Sequence, residues 1–462
     1  MRSRPARSRL PESPALHFAE FLDTGAENRL ISPAKPEARL VFWQEDVNEG
    51  EEISVEELDQ RLQGLEAESA ARKRAAAKGF SHRVFGRIQA DAVTFSQDAA
   101  NREQLGNIPN GTDFRRVRIG VQGEGHEIYY YRLEIGFAQA DSQTKRRPRI
   151  TDAYFEIRDL PWLGVLRVGQ FREPISIERS TSGNDITFME RGLPQAFNPA
   201  RRLGVMAFDH SANEKWYWWN GLFAQNSTAF GEQFGDAPRV AWVDRAVWLP
   251  WYDKPSEGRY LLQLGASYSY QSIRDQTRKF SSTPEVKLQY GAESVIPNFV
   301  NTGNLLMNDF QILQCEASTV LGPLSFQAEY YGVLVDQPGQ PTVFLHGAYA
   351  FVSYFLTGEN RVYDPIQGIY VATKPYSEFF RVRTDRGIGM GPGAWEIAAR
   401  FSTINLSDGN VQGGRLNDVT LGVNWYLNFQ SRIMFNYIHA FLNRYNQPSN
   451  ADVFAMRAQV VW

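Results

Sequence analysis

The densest chemistry in the 462-residue chain lies in residues 171–202, FREPISIERSTSGNDITFMERGLPQAFNPARR. Arg172, Arg179, Arg191, Arg201 and Arg202 are mixed there with Glu173, Glu178, Asp185 and Glu190, and Phe171, Phe188 and Phe197 are interleaved among them. A guanidinium stays charged and presents a planar fork that binds carboxylate or phosphate at two points, so such a cluster can hold an anion while it sheds water. The opposing reading is that Arg and Glu pair with each other and only hold the segment in place. Over residues 113–202 there are 14 Arg and 1 Lys against 12 acids, a surplus of three positive charges. Cationic rings favour anions in pores. Residues 171–202 contain no Lys.

Other chemistry is poorly supported. The six histidines, His17, His82, His126, His210, His346 and His439, lie far apart, and none has the i, i+4 partner of a zinc helix. The glycines of GIGMGPG (387–393) precede a strand pattern, not the helix that a phosphate-cradling loop opens. Asp152 and Glu156 share a strand face, but beside Arg149, Arg158 and Arg167 they read as ion-paired wall residues. Residues 407–418 hold Asp408, Asn410, Asn417 and Asp418 and read as an exposed turn-rich loop sooner than a calcium site. No G-x-S-x-G occurs, and Cys315 is the single cysteine. No enzyme, cofactor or metal site is expected.

The elements that must carry these residues are strands. From Phe85 to the last residue the pattern has period two: Tyr129, Tyr131, Leu133, Ile135 and Phe137 alternate with Tyr130, Arg132, Glu134 and Gly136. Val117, Ile119 and Val121 alternate with Arg116, Arg118 and Gly120, and Phe454, Met456, Ala458, Val460 and Trp462 lie opposite Arg457 and Gln459. About sixteen such segments begin near 85, 113, 127, 149, 163, 203, 215, 239, 258, 309, 323, 345, 393, 416, 431 and 451. Turn material such as Asn110-Gly111, Asp408-Gly409 and Gly413-Gly414 separates them.

A soluble sandwich alternates too, and three details favour a membrane wall. The polar set is often charged (Arg116, Arg118, Arg132, Glu134, Asp152, Glu156, Arg158, Arg167, Arg400) while the apolar set is not, as a wet lumen and a lipid face require. Aromatics cluster near strand ends, at 216–219 and at Trp248, Trp251 and Tyr252, as interface girdles do. The final strand ends on Trp462. The fold expected is therefore all-β, a transmembrane antiparallel barrel over 80–462 with residues 171–202 folded inward, facing the lipid bilayer.

Composition agrees. No run of about 18 apolar residues offers a membrane helix, and the near-balance of 49 basic against 52 acidic residues argues against a nucleic-acid binder. Residues 1–50 read as a flexible arm. Residues 51–79 read as a short helix, with Ser54 and Glu57 as a capping box and Val55, Leu58, Leu62 and Leu65 as a narrow apolar stripe, either coiled-coil or lying on its own domain. Residues 1–79 carry 12 basic and 15 acidic residues, which accounts for the net charge of -3, and the remainder is neutral. Within 1–9 the charges of a signal peptide are present, but Pro11 and Pro14 stand where its apolar segment would follow, so none is read there.

Residues 151–179 (TDAYFEIRDLPWLGVLRVGQFREPISIER), 186–205 (ITFMERGLPQAFNPARRLGV), 393–409 (GAWEIAARFSTINLSDG) and 417–428 (NDVTLGVNWYLN) resemble the phosphate-selective porins O and P of bacterial outer membranes. The resemblance spans roughly 85–462. It implies a sixteen-stranded homotrimeric barrel in the outer membrane whose third extracellular loop folds inward. It also implies pore roles for Arg158, Arg167, Arg172, Arg179, Arg191, Arg201 and Arg202, beside Arg116, Arg118 and Arg132 from the strand pattern, with Glu173, Glu178 and Glu190 as acids of the constriction loop. Characterised phosphate-specific members use lysines at the constriction, which residues 171–202 do not supply.

The leading reading is a passive channel for small hydrophilic solutes with a tilt toward anions, phosphate among them. The alternatives are a plugged barrel that anchors the membrane through its N-terminal segment, and a soluble all-β glycan-binding protein or lyase. Deletion of residues 1–79 separates the first two: channel steps in planar bilayers persist for a pore, whereas a tether loses its attachment to the cell envelope.

Overall fold

The alternating segments close on themselves. The computed structural model describes residues 79–138, 148–225, 239–290, 293–380, 382–384 and 387–462. The arm 1–50 and the helix expected at 51–79 lie outside the described residues, Gly79 excepted. Sixteen antiparallel strands form a closed barrel. They are β1 (Arg83–Gln97), β2 (Gly111–Gly125), β3 (Tyr129–Gly136), β4 (Arg149–Leu160), β5 (Gly164–Phe171), β6 (Arg202–His210), β7 (Trp216–Ala224) and β8 (Val240–Tyr252). The second half comprises β9 (Tyr260–Arg278), β10 (Leu305–Leu321), β11 (Leu324–Asp336), β12 (Val343–Phe355), β13 (Ala394–Asp408), β14 (Val411–Tyr426), β15 (Ser431–Arg444) and β16 (Gln447–Val461).

Each strand pairs with its sequence neighbour, and β1 pairs with β16 over Arg87–Gln97, so no edge is left for aggregation. The expected strand starts fall within five residues of those observed, the widest gap being 416 against Val411. The cause is Gly413-Gly414, which the sequence presents as a turn. Both lie inside β14, where Gly414 has φ 90° and the β13–β14 register slips between Asn405 and Ser407. A glycine tolerates that conformation, so the hairpin continues to its true turn at Gly409. The stretch 407–418 is therefore not one exposed loop: Asp418 is buried in the lumen while Asn417 faces outward to Thr403.

Outward positions follow the expected alternation, with Val240, Trp242 and Trp248 exposed on β8 while Arg245 between them is buried. Trp216 stacks on Trp248 and Trp395 on Trp425, each a cross-strand aromatic pair on the outer wall. The cluster at 216–219 is divided by the same alternation, because Tyr217 and Trp219 point inward and are buried. At the seam the main chain of Trp462 exchanges hydrogen bonds with Gly86, and a Cβ at Gly86 would fall 2.2 Å from the indole. The outward set is not wholly uncharged. Asp244 faces out between Trp242 and Ala246, held by the amide of Asn220 and the Trp242 indole N–H.

The connections differ sharply between the two ends. At the end carrying the N- and C-terminal strand ends they are short, apart from 356–393; at the other they include 98–110, 172–201 and 279–304. Short turns mark the periplasmic end of such barrels and long loops the extracellular end. Among the described residues three connections fold inward, not the single one expected. Residues 172–201 bury Ile175, Ile177, Ile186, Phe188, Met189, Leu193 and Phe197, with Phe188 edge-on to Phe351, Phe197 beside Tyr331 and the Leu193 N–H donating to Ser402, all three partners on β11–β13. Residues 279–304 bury Phe280, Val286, Leu288, Ile296, Phe299 and Val300. From the other end 356–393 enters with the hairpin Val362–Asp364 and Ile369–Val371, which buries Tyr363 and Tyr370. The lumen wall accordingly has an apolar side, including Val333, Val335, Leu345, Ile404 and Ile438, where these connections pack, and a charged side on β1–β6. The first is absent from a simple reading of lipid-facing and water-facing sets.

Closure is reinforced by charge. Arg457 on β16 lies directly opposite Asp91 on β1 and binds it with Nε and Nη2, both at 2.7 Å, and its side chain is fully buried. Removing one partner of a buried pair leaves an uncompensated charge and costs about 3–5 kcal/mol. Urea or thermal unfolding of the refolded barrel should show that loss for Arg457→Met, with much of it recovered in Asp91→Leu/Arg457→Met.

Candidate functional site

The charged side of the lumen is built from strand positions that alternation predicts and one that it does not. On β2 the residues Arg116 and Arg118 point inward as expected. Arg115 does too, because the β1–β2 register slips so that Gln89 faces Arg116 and Ala90 faces Phe114. The extra residue is a β-bulge, and it brings two consecutive guanidiniums to one side of the sheet.

Most wall cations are matched by carboxylates. Glu134 collects Arg87 at 2.6 Å, Arg118 at 2.7 Å and Arg132 at 3.3 Å. Asp152 takes Arg201 in two-point fashion at 2.7 and 3.2 Å, and Glu156 takes Arg167 at 2.6 Å and Arg158 at 3.3 Å. These contacts settle Asp152 and Glu156 as ion-paired wall residues. Arg158 also reaches Glu124, at 2.9 Å. Arg202 is buried against Glu173 at 2.7 Å and Gln271 at 2.6 Å.

Three of the four loop acids, Glu173, Glu178 and Glu190, act as fasteners. Glu173 holds Arg202 and accepts from Gln271 at 2.9 Å. Glu178 accepts the Gly192 N–H at 3.0 Å and pairs with Arg400 at 3.3 Å. Glu190 receives Arg115 at 2.7 and 3.0 Å, Arg116 at 3.5 Å and Arg457 at 2.7 Å. Burial alone would raise the Glu190 carboxyl, but the guanidiniums of Arg115, Arg116 and Arg457 hold it well below the usual carboxylate range. The wall fastens the loop in return, with the Ile177 and Glu178 N–H groups donating to Glu316 at 2.7 Å and Glu329 at 2.9 Å.

Three loop arginines and one lysine are arranged differently. Arg172 donates to the carbonyls of Arg179 at 3.0 Å and Thr181 at 3.1 Å, and its buried Nε has no partner. Arg191 donates to the carbonyls of Glu178 at 2.8 Å and Thr181 at 2.7 Å, and Arg179 donates to that of Pro199. Lys287, from the connection 279–304, donates to Thr283 Oγ1 at 2.9 Å. Among the described residues no carboxylate forms an ion pair within 4.0 Å of any of these four. Carbonyls orient the three arginines and a hydroxyl the lysine, without neutralising them.

Burial, then the like charges of Arg201, Arg191 and Arg179, pushes Arg172 well below its ordinary value. Burial with Arg191 and Arg201 pushes Arg179 down to about 9, and burial pushes Lys287 down to about 8. Cations held so close in a low-dielectric site repel each other, and a bound anion relieves that repulsion.

Two cavities flank this group. The outer one, about 250 Å³, is lined by Arg115, Arg116, Arg118, Arg172, Arg179, Arg191, Arg201 and Lys287 against the acids Glu190 and Glu285. Glu190 is engaged by three guanidiniums, and Glu285 accepts from Arg400 through Oε2 while its buried Oε1 has no partner. The inner one, about 200 Å³, is lined by Arg87, Arg132, Arg167, Arg172, Arg201 and Arg245 with Asp152, and by Tyr154, Phe171, Phe208 and Trp219. Arg172 and Arg201 border both.

Of the expected pore residues, Arg116, Arg118, Arg132, Arg167, Arg172, Arg179, Arg191 and Arg201 line these cavities, while Arg158 and Arg202 line neither. Sequence reasoning missed Arg115, Arg87, Arg245 and Lys287. The break in alternation at Phe114-Arg115-Arg116 is a signal for the first. Nothing near Lys287 in sequence marks it, because its connection reaches the site only through folding.

An all-antiparallel closed wall, apolar outside, with connections folded inward against a charged inner face defines an outer-membrane porin. The chain belongs to the family described as phosphate-selective porin O and P, whose model matches residues 83–462. Porin O of Pseudomonas aeruginosa is 23% identical, over 83% of this chain and 89% of that protein. An uncharacterized protein of Caulobacter vibrioides is 28% identical, over 77% of this chain and 68% of that one. Among solved structures, the anion-selective porin from Comamonas acidovorans aligns with a TM-score of 0.46 at 11% identity, covering 82% of this chain and 99% of that one. The trimer form of OmpT from Vibrio cholerae aligns at 0.46 with 10% identity, covering 83% of this chain and 100% of that one.

Lys287 gives the site a pH signature. With its pKa pushed down to about 8, the ammonium is charged below that pH and neutral above it. Anion affinity should therefore fall as pH rises from 7 to 9, read as weaker inhibition of chloride current by sulfate, and Lys287→Arg should remove the part of the fall centred near pH 8 while the part owed to Arg179 near pH 9 remains.

Proposed function

We propose that this porin passes small anions, phosphate foremost, through the constriction formed by Arg172, Arg179, Arg191 and Lys287. The observation that carries the reading is that four cations without carboxylate partners share one cavity. A fully paired lumen would favour neither sign; this one leaves positive charge where a solute must pass. A tetrahedral oxyanion can accept from several donors at once, and the outer cavity offers guanidinium forks beside a point-charge ammonium. The requirement for a constriction lysine, unmet within 171–202, is met by Lys287 from another connection. We further propose a homotrimer, as for the OmpT trimer form among the aligned structures.

A second reading, a plugged anchor, draws on the three inward connections that fill so much of the lumen. One experiment addresses both. Purified protein in planar bilayers under a potassium chloride gradient should show stepwise conductance with an anion-selective reversal potential, and added phosphate should reduce the chloride current. Hydrogen bonds to charged groups contribute about 1.5–3 kcal/mol each, so Arg191→Gln/Lys287→Gln should weaken phosphate block by at least tenfold. A cation-selective potential sinks the anion reading, and folded protein that never conducts favours the anchor.

A further inference from the structure

The two cavities are chemically unlike, and the inner one holds features that a small oxyanion does not use. Its arginines are mostly spoken for at their edges: Arg167 by Glu156 at 2.6 Å and Arg245 by Glu316 at 2.6 Å. Their planar faces lie instead over rings. The Arg167 guanidinium is 4.5 Å from the Tyr154 centroid, 5.1 Å from Phe208 and 5.4 Å from Phe171, and Arg245 is 4.9 Å from Trp219. Phe208 and Trp219 are directly opposite each other on β6 and β7 and share the inward face. Met206 and Ile369 complete an apolar lining. Stacking and ion pairing together fix these rings, so the surface is rigid before any solute arrives.

At one border of this cavity stands Arg172, whose buried Nε has no partner and whose guanidinium has no carboxylate within 4.0 Å. The cavity is thus a largely polar, arginine-rich lobe with an aromatic patch on one wall and, at a border, one guanidinium that has no carboxylate partner. We infer that it is a second solute subsite, for aromatic monocarboxylates, with the carboxylate on Arg172 and the ring lodged against Phe208 and Trp219. Its volume of about 200 Å³ is sufficient, since an apolar cavity of about 150 Å³ takes benzene. Phosphate makes no use of the rings, and an aliphatic acid as small as acetate reaches only the cation. Discrimination therefore comes from the apolar body of the solute, which is worth a large factor when buried against aromatic walls.

The inference rests on the anion-channel reading, and the test keeps the two apart. Chloride current through the wild-type porin in planar bilayers is titrated with benzoate, with acetate and, separately, with phosphate. Benzoate should reach half-block at a concentration at least fivefold below acetate, a comparison at equal charge that needs no variant. In Phe208→Leu the benzoate-to-acetate ratio should fall toward one. Equal half-block by the two acids in the wild type overturns the subsite, as does a ratio that Phe208→Leu leaves unchanged. Absence of phosphate block, with anion selectivity and the benzoate preference intact, instead overturns the phosphate reading and leaves the subsite standing.

Discussion

The carboxylate of Glu190 sits where three parts of the molecule meet. It binds Arg115 and Arg116 on β2, Arg457 on the closing strand, and through Arg457 it is joined to Asp91 on β1. The seam of the barrel and the depth of the inward loop are thus set by one buried ion network. Taking such charges out of water is costly, and only near-complete pairing makes the arrangement tenable. Because Glu190 belongs to the loop, the loop cannot withdraw without stranding guanidiniums on the wall. The apolar residues of the same loop, from Ile175 to Phe197, hold it to the opposite wall.

This division of labour explains how a chain with balanced charge keeps arginines without ion-pair partners inside its barrel. Several carboxylates that could neutralise the lumen are engaged elsewhere: Glu134, Asp152 and Glu156 on wall arginines, Glu190 at the seam, and Glu285 through Oε2 on Arg400. Arg172, Arg179 and Arg191 are held by main-chain carbonyls, which supply direction without a full negative charge. The net charge of -3 belongs to residues 1–79, and the small surplus of three over 113–202 becomes local through pairing, not through composition. Charge position, not charge total, decides where cations without carboxylate partners stand.

Much of the architecture was legible along the chain. Period two placed all sixteen strands, since a wall between lipid and a filled lumen imposes opposite chemistry on successive residues. The length and charge of 171–202 marked the inward loop, and most of its arginines do reach a cavity. The failures have definite causes. Arg115 escaped because a bulge adds a residue to one strand and breaks the alternation. Trp219 and Tyr217 were grouped with girdle aromatics because clustering alone does not say which side each ring takes. The inward course of 279–304 and 356–393 left no mark that length and composition could distinguish from an exposed loop.

The sequence by itself determined the barrel, its strand number, its outer face and the presence of a guanidinium-rich loop, because each depends on local periodicity or local composition. Tertiary structure alone decided which guanidiniums keep free charge, since pairing is set by residues far apart, Glu134 with Arg87 or Glu190 with Arg457. It alone brought Lys287 into the cavity lined by Arg172, Arg179 and Arg191, and it alone set Phe208 and Trp219 beside Arg172 in the second. Coulomb interactions and packing act over a few ångströms of space, and the separation of two residues along the chain says nothing about that distance until the barrel has closed.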